Sequence, residues 1–245
     1  MKYILSLVLL FTTLLSQDKQ QVTLGLGSYL QTQAYANVDS IVIPSPVIFF
    51  DNGLFYVRWT RVGVYFLGER NDEFSWGFSL TAQPRSFGYE SSDIAGMNER
   101  KDTWEGGLAF SAKTGDTYIE VLALNDLFGR YDSWIVKTEL GHNFTLGNFS
   151  FYPSVIAMYQ SRDFLDYYYG ITQVEATRRS ESSYKPSSGV QYGMQTYIKY
   201  PFTKELSGLI NLRADKLPNQ ATSSPIVNDN YIYSGLASLI YTFEY

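Results

Sequence analysis

Apolar and small or polar residues alternate with a period of two along most of this chain. From Phe74 to Gln83 the apolar positions are Phe74, Trp76, Phe78, Leu80 and Ala82, with Ser75, Gly77, Ser79, Thr81 and Gln83 between them. The stretch from Trp104 to Lys113 repeats the pattern, with Trp104, Gly106, Leu108, Phe110 and Ala112 on one face. Val190, Tyr192, Met194, Thr196, Ile198 and Tyr200 oppose Gln191, Gly193, Gln195, Tyr197 and Lys199, and Tyr233 to Tyr245 alternates in the same way. A period of two is the mark of a strand with chemically distinct faces. Segments of about ten residues suit a tilted strand that crosses a membrane, whereas strands of a soluble sandwich run nearer five or six. The apolar face carries aromatics toward the segment ends, as interfacial girdles require, and the other face is rich in Gly, Ser and Gln, which suits a crowded interior.

The pattern predicts strands at 22–30, 46–51, 54–60, 62–69, 73–84, 103–114, 117–126, 133–143, 148–160, 189–201, 205–214 and 231–245. Twelve is an even count, as a closed antiparallel transmembrane β-barrel of one chain requires. The weak point is the stretch from Leu54 to Glu69, which could be one long bulged strand instead of a hairpin and would then lower the count to ten. Connection lengths agree with a barrel. Tight turns fall at Asp51-Asn52-Gly53, Asn71-Asp72, Gly115-Asp116, Thr145-Leu146-Gly147 and Thr203-Lys204, alternating with long connections at 31–45, 85–102, 161–188 and 215–230. Short turns belong on the periplasmic side and long loops outside the cell.

The first residues read as an address. Met1-Lys2 gives a positive charge, an apolar run follows from Tyr3 to Leu15, and Ser16-Gln17-Asp18 is small and then polar. That order is a secretory signal peptide, too short to span as a helix, so residues 1–16 are expected to be removed and 17–245 to form the barrel. Aromatic content of 17% fits a protein with two membrane interfaces, where Tyr and Trp concentrate. A net charge of -5 gives no basic patch for nucleic acid. The absence of Cys and the presence of one His exclude disulfide frameworks, thiolate or multi-His metal sites and a Cys nucleophile. No cofactor is expected. The final alternating strand, with Leu239, Tyr241, Phe243 and Tyr245 on one face, is similar to the signal read by the barrel assembly machinery, and outer-membrane lipid is the other expected partner.

Candidate chemistry is sparse. His142, the one available imidazole base, shares a face with Trp134, Val136 and Leu140, which points it outward at the periplasmic end, away from any extracellular active site. Asp163, Asp166 and Glu175 lie in one loop among Arg162, Arg178 and Arg179, and Asp93, Glu99 and Asp102 alternate with Arg100 and Lys101; mutual neutralisation is the simpler account of both groups. Arg58, Glu105, Lys113, Glu120, Lys137, Glu139, Lys199 and Arg213 are expected to face the lumen and to pair there, because charges withdrawn from bulk water need partners. The run Tyr167-Tyr168-Tyr169 could be a recognition surface, a rim girdle or a loop folded over the mouth.

Several short motifs recur in a familiar order. They are Pro46-Val47-Ile48, Gly96-Met97-Asn98-Glu99-Arg100-Lys101, Tyr167-Tyr168-Tyr169-Gly170-Ile171, Glu175-Ala176, Tyr184-Lys185-Pro186 and Ser224-Pro225-Ile226-Val227. Together, through 46–245, they resemble the MipA/OmpV family. That resemblance implies an outer-membrane barrel without known catalytic residues. It also implies, for the family's name-giving member, a scaffold that joins a murein-degrading lytic transglycosylase to a murein synthase. Other members are described as antigens, adhesins or antibiotic-responsive proteins, so a small-solute channel or a surface ligand-binding barrel is the alternative. Tyr167, Tyr168, Tyr169, Gly170, Glu175, Tyr184, Met97, Arg100 and Pro225 are the motif residues on which an interaction would rest. The polar stretch Gln17–Gln21 and a terminal Tyr where Phe is common depart from the family pattern.

Overall fold

The computed structural model describes residues 21–71, 73–85 and 88–244. The expected signal peptide and the terminal Tyr245 lie outside the described residues. One antiparallel sheet contains thirteen strand segments and closes on itself. They are β1 (Gln21–Gln31), β2 (Ile41–Asp51), β3 (Phe55–Arg58), β4 (Arg61–Glu69), β5 (Phe74–Arg85), β6 (Thr103–Thr114), β7 (Thr117–Asp126), β8 (Trp134–His142), β9 (Phe144–Leu146), β10 (Phe149–Gln160), β11 (Gly189–Pro201), β12 (Leu206–Lys216) and β13 (Tyr231–Glu244). Segments β8 and β9 both ladder onto β10 and are parted only by Asn143, so they form one stave and the barrel has twelve. Closure comes from the β1–β13 ladder, which runs from Gln21↔Glu244 to Gln31↔Ser234, together with the β10–β11 ladder.

The stretch from Leu54 to Glu69 is a hairpin, so the count of twelve stands. The chain reverses at Trp59-Thr60, with Trp59 held at φ 57, and β4 carries a bulge between Tyr65 and Leu67. Most expected boundaries shift by no more than two residues, and two move further. Strand β2 begins at Ile41 and not at 46, its ladder to β1 running unbroken through Pro44 and Pro46. The turn expected at 145–147 tightens to Gly147-Asn148, because Thr145 and Leu146 still pair with Ser150 and Phe149, and Gly147 takes the φ of 60 that the reversal needs.

The pleat assigns the faces as the alternation predicts. Leu24, Leu26, Val64, Leu80, Leu108, Leu140, Val155, Met194, Leu212 and Leu239 point outward and are exposed. Aromatic rings gather at both edges of this band. Trp134 stacks on Tyr159 and Tyr231 on Tyr233 toward the long loops. Phe144, Phe149, Phe151, Tyr200 and Phe202 make a chain of ring contacts toward the short turns. His142 lies exposed on the outer face, with its Nδ1 2.9 Å from the Thr117 hydroxyl.

Inside, tyrosines cover glycines on neighbouring strands. A Cβ on Gly141 would meet the Tyr118 ring at 2.4 Å, and one on Gly63 would meet the Tyr56 ring at 2.4 Å. Each ring fills the space the missing side chain leaves and runs its hydroxyl along the inner wall, that of Tyr118 to Glu139 on the adjacent strand at 3.0 Å and that of Tyr56 to Ser79 two strands away at 3.1 Å. Gly141→Val should evict Tyr118 and destabilise the barrel by about 1–3 kcal/mol, the usual cost of overpacking. Urea unfolding in lipid vesicles, followed by intrinsic fluorescence, measures this; an unchanged midpoint would refute the close-packed account of the pair.

Candidate functional site

The long loops fold into a cap over one mouth of the barrel. Helix α1 (Arg162–Tyr169) starts at Ser161, whose hydroxyl accepts the Phe164 N–H, and ends at Gly170, where a Cβ would lie 2.3 Å from the Asp166 carbonyl oxygen. Helix α2 (Gln173–Arg179) starts at a reciprocal capping box between Thr172 and Glu175. A single turn, α3 (Asn219–Thr222), lies in the last loop. Tyr35, Tyr89, Met97, Phe164, Tyr168, Tyr169, Ile171, Ala176 and Ile226, drawn from four loops, pack with Leu122, Leu124, Ile135 and Met158 from the inner wall as one buried apolar cluster. The three tyrosines are therefore chiefly core, with Tyr168 and Tyr169 almost fully buried and Tyr167 partly so. Burial pushes the Tyr168 and Tyr169 hydroxyls well above the usual phenol range, so both are neutral at physiological pH.

One ion pair ties two loops together at the heart of the cap. Arg100 Nη2 lies 3.0 Å from Glu175 Oε1, and both side chains are buried. Oε1 also accepts the Asn98 N–H at 3.0 Å, while Oε2 accepts the N–H and hydroxyl of Thr172, each at 2.8 Å. Arg100 donates to the Tyr167 and Asn98 carbonyls and lies near the Tyr89 and Tyr167 rings. Burial alone would raise the Glu175 carboxyl, but the Asn98 and Thr172 donors and the Arg100 charge hold it down at about 2.

Eight of the nine motif residues thus meet in or against this cap. Tyr184 bridges to Ile171 and donates its hydroxyl to the Gln220 carbonyl at 2.8 Å. Pro225 is exposed, next to Ser224, whose hydroxyl donates to the Tyr169 carbonyl at 2.6 Å. The sequence reading overlooked the helices, although Thr172-x-x-Glu175 is a capping-box signature that marks the start of α2. It also treated Glu175 and Arg100 as members of separate solvated loops, and only the fold brings them together.

Below the cap the lumen has two unlike sides. On one, Glu120 takes both Arg61 at 2.6 Å and Arg58 at 2.8 Å and Glu139 takes Lys137 at 2.9 Å; Arg213 and Asp215, paired at 2.6 Å, stand apart from these on β12. Glu105, just under the cap, is fully buried against Arg85 at 2.6 Å and accepts the Tyr131 hydroxyl at 2.8 Å. Of the lumenal charges expected from sequence, Arg58, Glu105, Glu120, Lys137, Glu139 and Arg213 do pair, Lys113 and Lys199 take part in no ion pair among the described residues, and Arg61, Arg85 and Asp215 supply three partners that were not among those expected. On the other side Val47, Leu209, Leu236 and Ile240 cluster with Tyr29, Phe49, Trp59 and Tyr197.

A closed ladder with an apolar outer belt, two aromatic girdles and a polar, cross-linked interior defines an outer-membrane β-barrel. Comparison with known proteins narrows the class. The chain belongs to the MltA-interacting protein MipA family, whose model matches residues 24–243. It is 22% identical to YiaT of Escherichia coli (strain K12) over 233 residues, 93% of each chain. It is 23% identical to the MltA-interacting protein of the same strain over 228 residues, 91% of this chain and 90% of that one. OmpV of Vibrio cholerae is 24% identical over 179 residues, 73% of this chain and 69% of that one. Among solved structures, an outer membrane channel from Pseudomonas putida F1 shares 12% identity at a TM-score of 0.40, covering 92% of this chain and 96% of that one. The protein resides in the outer membrane, its short turns periplasmic and its cap extracellular.

Glu175→Gln keeps the capping box, since Gln serves at that position, but leaves Arg100 buried without a counter-charge, a loss of about 3–5 kcal/mol for a broken buried pair. The cap should become sensitive to trypsin at Arg178 and Arg179 while the strands stay protected, as mass spectrometry of the fragments would reveal. Acid should act through the same group. A carboxyl held near 2, against about 4.3 in an unfolded chain, stabilises the cap fully above the unfolded value and loses that contribution as pH falls toward 2. Cap proteolysis by an acid-active protease should therefore rise below about pH 4 in wild type and be flatter with pH in Glu175→Gln; parallel profiles would reject Glu175 as the titrating group.

Proposed function

We propose that this protein is a non-conducting outer-membrane anchor that holds a partner at its periplasmic rim, and that the partner is murein machinery, a hydrolase, a synthase or both. The observation that carries the reading is the cap: the extracellular mouth is filled by a hydrophobic core, and the lumen beneath is crossed by paired charges. Such an interior supports a scaffold over a small-solute channel. The name of one relative, MltA-interacting protein, supports a murein-directed partner. The rim offers the turns at Asn52–Leu54, Gly115-Asp116, Gly147-Asn148 and Phe202–Glu205, with Arg70 and Asp51 paired at 2.6 Å beside them. No catalytic step belongs to this reading, since the one imidazole, His142, sits on the outer face. Surrounding lipid and the barrel assembly machinery, engaged through the β13 strand, complete the proposed partners.

An adhesin-like role is the second reading. Val174, 67% exposed on α2, and exposed Pro225 present apolar surface outward from the cap, where a surface ligand would meet Met97, Arg100 and Tyr184 only as buried support.

Two measurements separate these possibilities. Purified protein in a planar bilayer should show no steady conductance, and a pull-down from detergent extract should recover a murein hydrolase or synthase. A stable ohmic channel in wild type would sink the anchor reading. Recovery of no murein enzyme, with retention of an extracellular matrix or surface ligand, would transfer the function to the cap.

A further inference from the structure

The barrel wall is incomplete in its outer half. Strands β3 and β4 reverse at Trp59-Thr60, so β2 pairs with β3 only through Phe49, Phe50 and Asp51, and β5 pairs with β4 only up to Ala82. Above that level β2 rises to Ile41 and β5 to Arg85 with no ladder between them. Two staves are missing, so the banks stand about three strand spacings apart, roughly 14 Å from backbone to backbone.

The backbone directions on the two banks follow from the hydrogen bonds below them. The Trp59 N–H donates to the Ile48 carbonyl at 2.8 Å, so Ile48 turns its polar groups toward β3, and alternation turns Pro46 and Pro44 the same way. On the other bank the Tyr65 N–H donates to the Leu54 carbonyl at 2.7 Å, so Tyr65, Gly63 and Arg61 face β3. Val64 and Val62 then face β5, their partners Leu80 and Ala82 face back, and Pro84 shares that direction. All three prolines stand where an N–H would otherwise point into the gap. An unpaired N–H facing hydrocarbon is costly, and Pro removes it while also blocking the addition of another strand.

Behind the gap the β2 bank is apolar, while the β5 bank turns Gln83 and Arg85 inward, both held by Glu105. Ile43 is on the inner face, opposite Tyr29 in the ladder and two residues from Ser45, which accepts the Trp59 indole N–H at 2.9 Å. Although it points inward, Ile43 is 49% exposed. Beneath it lies the apolar side of the lumen, beginning with Val47, Trp59 and Tyr29. Outside, Val42, Ile48 and Leu80 are exposed on the lipid-facing surface, so the gap opens at the level of the outer leaflet's hydrocarbon.

We propose that this gap is a lateral binding site for an acyl chain of an outer-leaflet lipid, which enters between β2 and β5 and lies against Ile43 and the hairpin tip at Trp59. Gln83 and Arg85 on the far bank are already engaged by Glu105, and the prolines exclude a β-strand. The membrane supplies the acyl chain at high local concentration.

The chain contains no Cys, so a single bimane label can report the site. Ile43→Cys, labelled and reconstituted in phosphatidylcholine vesicles, should lose emission roughly two-fold when the lipid chains carry bromine, because dye and quencher then share one hydrocarbon phase. Aqueous iodide should have little effect. Leu108→Cys provides the lipid-facing reference, Val174→Cys the aqueous one, and Gln195→Cys an inward position away from the gap that brominated chains should not quench. Quenching of position 43 by iodide and not by brominated lipid, or by neither, would overturn the proposal, as would equal brominated-lipid quenching at 195. Ile41→Cys repeats the measurement one pleat higher, in case the label at 43 prevents folding.

Discussion

Everything in this barrel follows from the need to satisfy backbone N–H and C=O groups where no water can reach them. The β1–β13 ladder meets that need at the seam through eleven residue pairs, Gln21↔Glu244 to Gln31↔Ser234, and the β10–β11 ladder carries it through the chain's longest loop excursion. Once the cylinder is closed, the pleat decides which residues see lipid and which see the interior. Where the cylinder is left open, between β2 and β5, the requirement is met in the opposite way, by prolines that have no N–H to satisfy.

The closed wall in turn sets the problem of the interior. A twelve-stave barrel encloses space that must be filled or flooded. Here it is filled, by tyrosines lying over glycines, by carboxylates each held by one or two cations, and by an apolar wedge on the β12, β13, β1 and β2 side. The cap continues the filling upward. Its core is continuous with Leu122, Leu124, Ile135 and Met158 of the wall, so the cap and the wall directly beneath it pack as one body.

The strands, their faces and their sidedness were legible in the sequence because a half-buried sheet imprints its period directly on residue order. The lumenal charges were legible for the same reason, since Glu120, Glu139 and Arg213 fall on the predicted inner face. Two things were not. Pro44 and its neighbours from 41 to 45 read as the end of a loop, because proline is foreign to a central strand; only the shortness of β3 turns that part of β2 into an edge. The cap was opaque because its helices are short and its pairing is long-range. Nothing near Arg100 in sequence announces Glu175, and a run of three tyrosines has the same composition at a surface as in a core.

The cap draws its parts from distant points of the chain: Tyr35 bridges to Val227, Arg100 binds Glu175, and Ser224 holds the Tyr169 carbonyl. A partly inserted chain holds only some of these parts, and because Tyr35 meets Val227 the cap is complete only when the loops beside the first and last strands are both in place. It is therefore a finishing step in assembly, a seal set once the hoop is complete, and its formation distinguishes a mature molecule from any intermediate that has already crossed the bilayer.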